Sequence, residues 1–181
     1  MRTNTTTTGT ASPTTREPAL LQPDIYLTHV TALDLDALRE RGVSALLLDV
    51  DNTVSPHHSA EVIPEIRGWI ASLGTQGFQA CLVSNNWHDD INERAEALGL
   101  PVIPKSAKPL PFGIWRAMRL LGVRRSACVM VGDQLFTDIL GGKLAGVETV
   151  LVQPLTPSDM GHTKVLRRLE QRIMAGRSPE A

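Results

Sequence analysis

Four short apolar runs, each closing on polar residues, constrain this chain of 181 residues more than any other feature of its sequence. They lie at 45–50 (ALLLDV), 79–84 (QACLVS), 127–133 (ACVMVGD) and 148–153 (ETVLVQ). Each is apolar at consecutive rather than alternate positions, the pattern of a strand covered on both faces, as parallel strands are. Stretches with helical spacing stand between them, at 64–73, 88–98, 111–121 and 137–145, and a short run at 101–104 reads as a further strand. Strand alternating with helix predicts an α/β fold on a doubly wound parallel sheet. Ligands of such sheets bind beyond the carboxyl ends of the strands, so the residues closing each run are where chemistry is to be sought.

Four segments answer that description. Asp49 and Asp51 put two carboxylates at one mouth, followed by Asn52 and Thr53. Like charges so close raise each other's pKa unless a cation bridges them, and hard oxygen ligands of this kind favour Mg²⁺. Ser84, Asn85 and Asn86 form a set of small hydrogen-bonding side chains after the second run. A loop then holds Lys105 and Lys108, of which Lys108, next to Pro109, is the preferred active-site lysine. The fourth segment, Gly132-Asp133-Gln134-Leu135-Phe136-Thr137-Asp138, adds two more carboxylates at a strand-to-helix turn.

In this order the four segments resemble the motifs of the haloacid dehalogenase (HAD) superfamily of phosphohydrolases, over roughly residues 45–152. The SNN triplet, the Lys-Pro pair, GDQLFTD and the following GGxxAG (141–146) are further similar to the YqeG family of subfamily IIIA. That family includes enzymes similar to phosphatidylglycerophosphate phosphatases. The resemblance implies a capless, HAD-like Rossmannoid phosphatase. Asp49 is then the nucleophile and Asp51 the general acid and base, with Lys108 neutralising charge. Thr53, Ser84 and Asn85 are the implied substrate-binding residues. Asp49, Asp133 and the backbone carbonyl of Asp51 would hold Mg²⁺, with Asp138 supporting the metal site. Alternatives are a phosphatase of another phosphorylated metabolite, sugar or nucleotide, and a non-catalytic binding module on the same fold.

About thirty residues separate Thr53 from Ser84, and about two dozen separate Ser84 from Lys108. Neither interval has room for a cap domain, so an open mouth is expected, suited to a phosphorylated substrate presented on something large, such as a lipid headgroup at a membrane surface. Lys164 to Arg177 holds five basic residues and one acid, with Val165, Leu166, Leu169 and Ile173 on one helical face. Such a helix packs its apolar stripe on the core, lies on an anionic membrane, or does both. The division expected is a Thr/Pro-rich disordered tail at 1–23, with eight threonines, a phosphatase domain at 24–158, and the basic helix and tail at 159–181.

Composition narrows the remaining classes. Eighteen basic against nineteen acidic residues argue against a dedicated nucleic-acid partner, and 4% aromatics argue against stacking platforms. Cys81 and Cys128 lie inside apolar runs and read as buried free thiols. No apolar stretch has the length of a membrane span and none opens the chain, so a cytoplasmic protein, peripheral at a membrane, is expected. His57, His58 and His88 have no ligand spacing and read as exposed loop residues, whereas Trp115, Met118 and Leu120 read as a helix core face.

Overall fold

The computed structural model describes residues 19–56, 61–87, 90–156, 173–174 and 176–180. Among these residues, six strands form one sheet: β1 (Ile25–Leu27), β2 (Ala45–Leu48), β3 (Gln79–Val83), β4 (Val102–Ile103), β5 (Cys128–Gly132) and β6 (Glu148–Val152). Their order is β1-β6-β5-β2-β3-β4, and every pairing is parallel. β2 lies at the centre, with Leu47 opposite Cys81 on one side and Met130 on the other. Among the described residues, five α-helices cover the sheet: α1 (Leu35–Glu40), α2 (Pro64–Leu73), α3 (Asp90–Leu98), α4 (Phe112–Leu121) and α5 (Leu140–Ala145).

Successive strand residues point to opposite faces, which divides the core into two layers. Leu46 and Leu48 pack with α1, α2 and α3, together with Leu82, Val129 and Val131. Ala45 and Leu47 pack with α4 and α5, together with Cys81, Val83 and Met130. Both cysteines are buried and free, and burial pushes their thiols up, to about 12 for Cys81 and about 11 for Cys128.

The structure departs from the sequence-based expectations at the N-terminal edge. β1 and α1 come from a stretch with no clear apolar run or helical repeat. β1 exists because β6 offers it a parallel edge, with Ile25 opposite Val150. Asp24 anchors its start: one carboxylate oxygen accepts from the Thr149 amide and hydroxyl (2.8 and 2.9 Å), the other from Lys143 (2.6 Å). α1 is capped by Asp34, which accepts from the Ala37 amide at 2.9 Å. Of the segment expected to be a tail, residues 1–18 lie outside the described residues, whereas Ala19–Leu21 make a single 3₁₀ turn near α5.

The core face of α4 also needs correcting. Met118 is buried as expected, but Trp115 and Leu120 are exposed, at 38% and 56%. The seated face is Gly113, Ile114, Ala117 and Met118. The two small residues let the helix axis approach, and that decides the rotation of the helix. A Cβ on Gly113 would stand 2.5 Å from the Ser106 Cβ and 2.6 Å from its carbonyl oxygen. At the other end of the chain, Ile173 and Met174 pack on Leu135, Ile139 and Leu151, and Glu180 bridges to Leu27. The rest of the basic segment at 159–172, and His57, His58 and His88, lie outside the described residues.

Candidate active site

The parallel register brings the ends of β2, β3 and β5 side by side, and with them residues far apart in sequence. Asp49 prolongs β2 by donating its amide to the Val131 carbonyl at 2.8 Å. The chain then turns sharply: the amides of Val54 and Ser55 both donate to the Val50 carbonyl at 3.0 Å. Asn52 takes a left-handed conformation (φ 64°), which asparagine tolerates better than most residues. Its side-chain oxygen accepts from the Thr156 hydroxyl at 2.7 Å, tying the turn to the loop after β6. Thr53 is buried, and its hydroxyl makes no hydrogen bond among the described residues.

Lys108 reaches into the centre of this arrangement. Its ammonium donates to Asp49 Oδ1 and to the Val83 carbonyl, both at 2.6 Å, and pairs with Asp138 Oδ1 at 2.7 Å. Lys105 is instead exposed, with its ammonium 5.1 Å from the centre of the Trp87 ring. Of the two lysines, it is Lys108 that reaches the Asp49 carboxylate. The Lys108–Pro109 peptide bond is cis.

Asn85 holds the lysine loop from the side. Its side-chain oxygen accepts from the Ser106 hydroxyl (2.7 Å) and the Lys108 amide (2.8 Å), and its nitrogen donates to the Lys108 carbonyl (2.9 Å). Asn85 thus braces Lys108 through two accepted bonds and one donated bond. Ser84 is buried, with its hydroxyl accepting from the Asn86 amide at 3.0 Å.

Asp49, Asp133 and Asp138 are buried, and one oxygen from each lies within 4.8 Å of the others. Burial raises the Asp49 carboxyl above the usual range; Lys108 opposes the rise and Asp51 adds to it. Burial likewise pushes Asp138 up to about 6, again against the pull of Lys108. Burial alone would lower the Lys108 ammonium, but Asp138 and Asp49 together hold it above its ordinary value. Three buried carboxylates against one ammonium leave excess negative charge and closely spaced hard oxygens. That donor set fits Mg²⁺.

The placement of Asp138 corrects the helix expected at 137–145. The chain first makes a π-helical turn (Leu135–Ile139), and only then α5. The wide turn lets the Asp138 carboxylate fold back and accept from the Gln134 amide at 3.1 Å, against the bare backbone of Gly132. A Cβ on Gly132 would sit 2.3 Å from the Asp138 carboxyl carbon. Gly132→Ala will therefore displace Asp138 and the lysine bonded to it. A loss of roughly 100-fold or more in kcat with a lowered melting temperature is expected. Activity within threefold of wild type would contradict this packing argument.

Asp51 stands apart from the carboxylate cluster. Its Oδ1 lies 3.5 Å from a guanidinium nitrogen of Arg94 on α3, and its side chain is 26% exposed, open to the mouth. Arg94 is buried and also pairs with Asp90 at 2.7 Å. Sequence reasoning missed it, because an arginine four residues after an aspartate on a helix reads as a surface ion pair.

The HAD-hydrolase-like family model matches residues 106–154, the stretch carrying Lys108, Asp133 and Asp138. The probable phosphatase YqeG of Bacillus subtilis is 33% identical over 153 residues, spanning 84% of this chain and 89% of its own. The chain belongs to the YqeG family of HAD-like phosphatases. Another relative is chloroplastic phosphatidylglycerophosphate phosphatase 1 of Chlamydomonas reinhardtii, 35% identical over 85% of this chain; the match spans 59% of that protein. Among solved structures, the cobalt-bound form of deoxy-D-mannose-octulosonate 8-phosphate phosphatase from Haemophilus influenzae shares the fold. It has a TM-score of 0.52 at 16% identity, over 74% of this chain and 88% of its own.

The intervals between the site segments of this YqeG-family chain are short. Among the described residues, the interval from Thr53 to Ser84 holds α2 and β3, and that from Ser84 to Lys108 holds α3 and β4. Neither contains a further folded unit. No helix among the described residues is long and apolar enough to cross a membrane.

Proposed function

We propose that this YqeG-family phosphatase is a Mg²⁺-dependent phosphomonoesterase acting through an aspartyl-phosphate on Asp49, with phosphatidylglycerophosphate as its preferred substrate. The observation that carries the reading is the buried Lys108 ammonium, 2.6 Å from Asp49 and 2.7 Å from Asp138. It fixes one Asp49 oxygen and brings positive charge to where a phosphoryl dianion must approach a carboxylate.

Asp49 attacks phosphorus, forming an acyl-phosphate bond as the bond to the leaving oxygen breaks. Asp51, partly exposed at the mouth and oriented by Arg94, gives its proton to that oxygen. It then takes a proton from the water that attacks phosphorus and releases inorganic phosphate, which restores Asp49. Thr53, with its uncommitted buried hydroxyl, and Ser84 hold the phosphoryl oxygens, while Asn85 keeps Lys108 in place. Asp49, Asp133 and the Asp51 backbone carbonyl would hold Mg²⁺, with Asp138 behind them. Bound there, the ion supplies charge neutralisation at the transferring group. Residues 24–158 form the catalytic domain, flanked by the tail at 1–23 and the basic segment at 159–181.

The lipid preference draws on the named relative and on the short intervals between the site segments, which leave no room for a cap domain and suit a headgroup still held in a bilayer. A panel of micellar phosphatidylglycerophosphate, sugar phosphates, nucleoside monophosphates and an aryl phosphate tests it. Lipid kcat/KM at least tenfold above every soluble phosphate is expected. A sugar phosphate or nucleotide in first place would end the lipid reading. Borohydride reduction during turnover should convert Asp49 to homoserine, detectable by peptide mass; a peptide left unmodified under turnover would end the covalent reading.

The metal has a test of its own. The Asp138 carboxyl titrates at about 6 in the fold against 3.8 for the free side chain. The fold therefore binds the extra proton between those values, and stability falls as pH rises through that window. In chelator, the melting temperature should be higher near pH 5.5 than near pH 7.5 as far as this group is concerned. Added Mg²⁺ should raise it by several degrees at pH 7.5 and by less at pH 5.5, where protons compete for the same oxygens. No Mg²⁺ effect at either pH would remove the metal from the proposal.

A further inference from the structure

The two helical layers present very different surfaces. α1, α2 and α3 carry six acids against three arginines. α4 and α5 carry Arg116, Arg119 and Lys143 and no acid, with Lys143 paired to Asp24. From Leu98 to Gly132 the chain holds six basic residues and no acid, although its formal net charge is -1.

Apolar exposure follows the same division. Among the described residues, α1, α2 and α3 leave no large hydrophobic side chain exposed. Leu110, Phe112, Trp115 and Leu120 are exposed in or just before α4, and Trp87, in the loop after β3, is 73% exposed. Rings and cations meet at two places among them. Lys105 lies over Trp87, the Phe112 and Trp115 rings meet edge-on at 5.7 Å, and the Arg125 guanidinium lies 5.9 Å from the Trp115 ring. The patch also borders the site, because Asn85 and Lys108 belong to the same two loops as Trp87 and Leu110.

Aromatic and aliphatic side chains left exposed along one helix and its adjoining loops mark partners. The partner's chemistry follows from what surrounds them. Aromatic rings with an excess of basic side chains suit the headgroup level of an anionic bilayer, where rings and aliphatic chains enter the interface and cations meet phosphates. Pairing of this face with a second copy would bring like charges together. Single-stranded nucleic acid would use the rings for stacking but would leave Leu110 and Leu120 without a role.

We propose that the outer face of α4, with the tips of the loops after β3 and β4, is a docking surface for an anionic phospholipid bilayer that brings the open site to the headgroups. It deepens the lipid-substrate reading, but its test needs no turnover.

The full-length protein is sedimented with phosphatidylglycerol-containing vesicles and with pure phosphatidylcholine vesicles, in the presence of Mg²⁺. Selective binding to the anionic vesicles, weakened by salt, is expected. The double variant Phe112→Ser, Arg116→Glu should bind them roughly tenfold more weakly while keeping its melting temperature and its aryl-phosphate hydrolysis. Equal binding by wild type and variant, or no preference for the anionic vesicles, overturns the proposal. So does a wild-type dimer that the variant dissociates without vesicle binding, or binding of a single-stranded oligonucleotide in preference to vesicles. The Leu110→Ser, Arg119→Glu variant repeats the test should the first fail to fold. If the docking holds but phosphatidylglycerophosphate is not hydrolysed, the substrate reading alone falls. If the lipid is hydrolysed in micelles while vesicles go unbound, the docking alone falls.

Discussion

Asp49→Asn will remove phosphatase activity while leaving the fold intact. The amide has the same shape, and its oxygen can still accept from the Lys108 ammonium that lies 2.6 Å from the native carboxylate. What disappears is the nucleophile, and removing a covalent nucleophile costs about 10⁴-fold or more in kcat. Taking one negative charge from a buried group of three carboxylates also relieves their mutual repulsion. The melting temperature of the metal-free variant should therefore match or exceed that of the metal-free wild type, and its Mg²⁺-induced stabilisation should shrink. Phosphate release from an aryl phosphate, together with thermal unfolding in chelator and in Mg²⁺, checks all three effects. A kcat within tenfold of wild type would exclude Asp49 as the attacking group.

Lys108→Met is expected to damage both stability and activity, for a different physical reason. The ammonium is the counter-charge of Asp49 and Asp138, both buried. Removing one partner from a buried ion cluster costs about 3–5 kcal/mol, because the remaining charges have neither water nor cation. For a chain of this size that is a fall of about 10 °C in melting temperature. The loss should depend on pH with a definite sign. Asp138 titrates at about 6 with Lys108 in place, and without the lysine its carboxyl rises further. The variant can then shed the unpaired charge by protonation, so its deficit against wild type should narrow as pH falls from 7.5 to 5. A deficit unchanged across that range would mean that lost packing, rather than lost charge, dominates. Arg at this position would restore charge but not the compact three-way contact, and should not rescue activity.

These effects reach parts of the molecule that differ in how far sequence disclosed them. The five expected strands all form, because continuous burial on both faces leaves a period-free apolar signature that few other structures share. β1 left no such mark: three residues become a strand only because β6 has a free edge and Asp24 is held by Thr149 and Lys143, contacts across more than a hundred residues. The same distinction runs through the site. Asp49 and Asp133 were legible since each follows the end of a strand, and Lys108 and Asp138 since they come in a recognisable order with those two. The bracing role of Asn85, the capture of Asn52 by Thr156 and the orientation of Arg94 toward Asp51 depend on which loops meet. The face of α4 was misjudged because hydrophobicity alone cannot fix helix rotation; Gly113 and Ala117, small enough for close approach, decide it.

The two cysteines gain a use from where they lie. Cys81 on β3 and Cys128 on β5 flank the central strand, opposite Leu47 and Ala45, with no solvent path to either sulfur. Thiolate is the reactive form, and thiols pushed up to about 12 and about 11 offer almost none of it at neutral pH. Alkylating reagents can reach them only when the middle of the sheet opens. The rate of thiol labelling in the native protein is thus a clock for whole-domain opening, and one that Mg²⁺ and the Lys108 substitution should visibly slow and quicken.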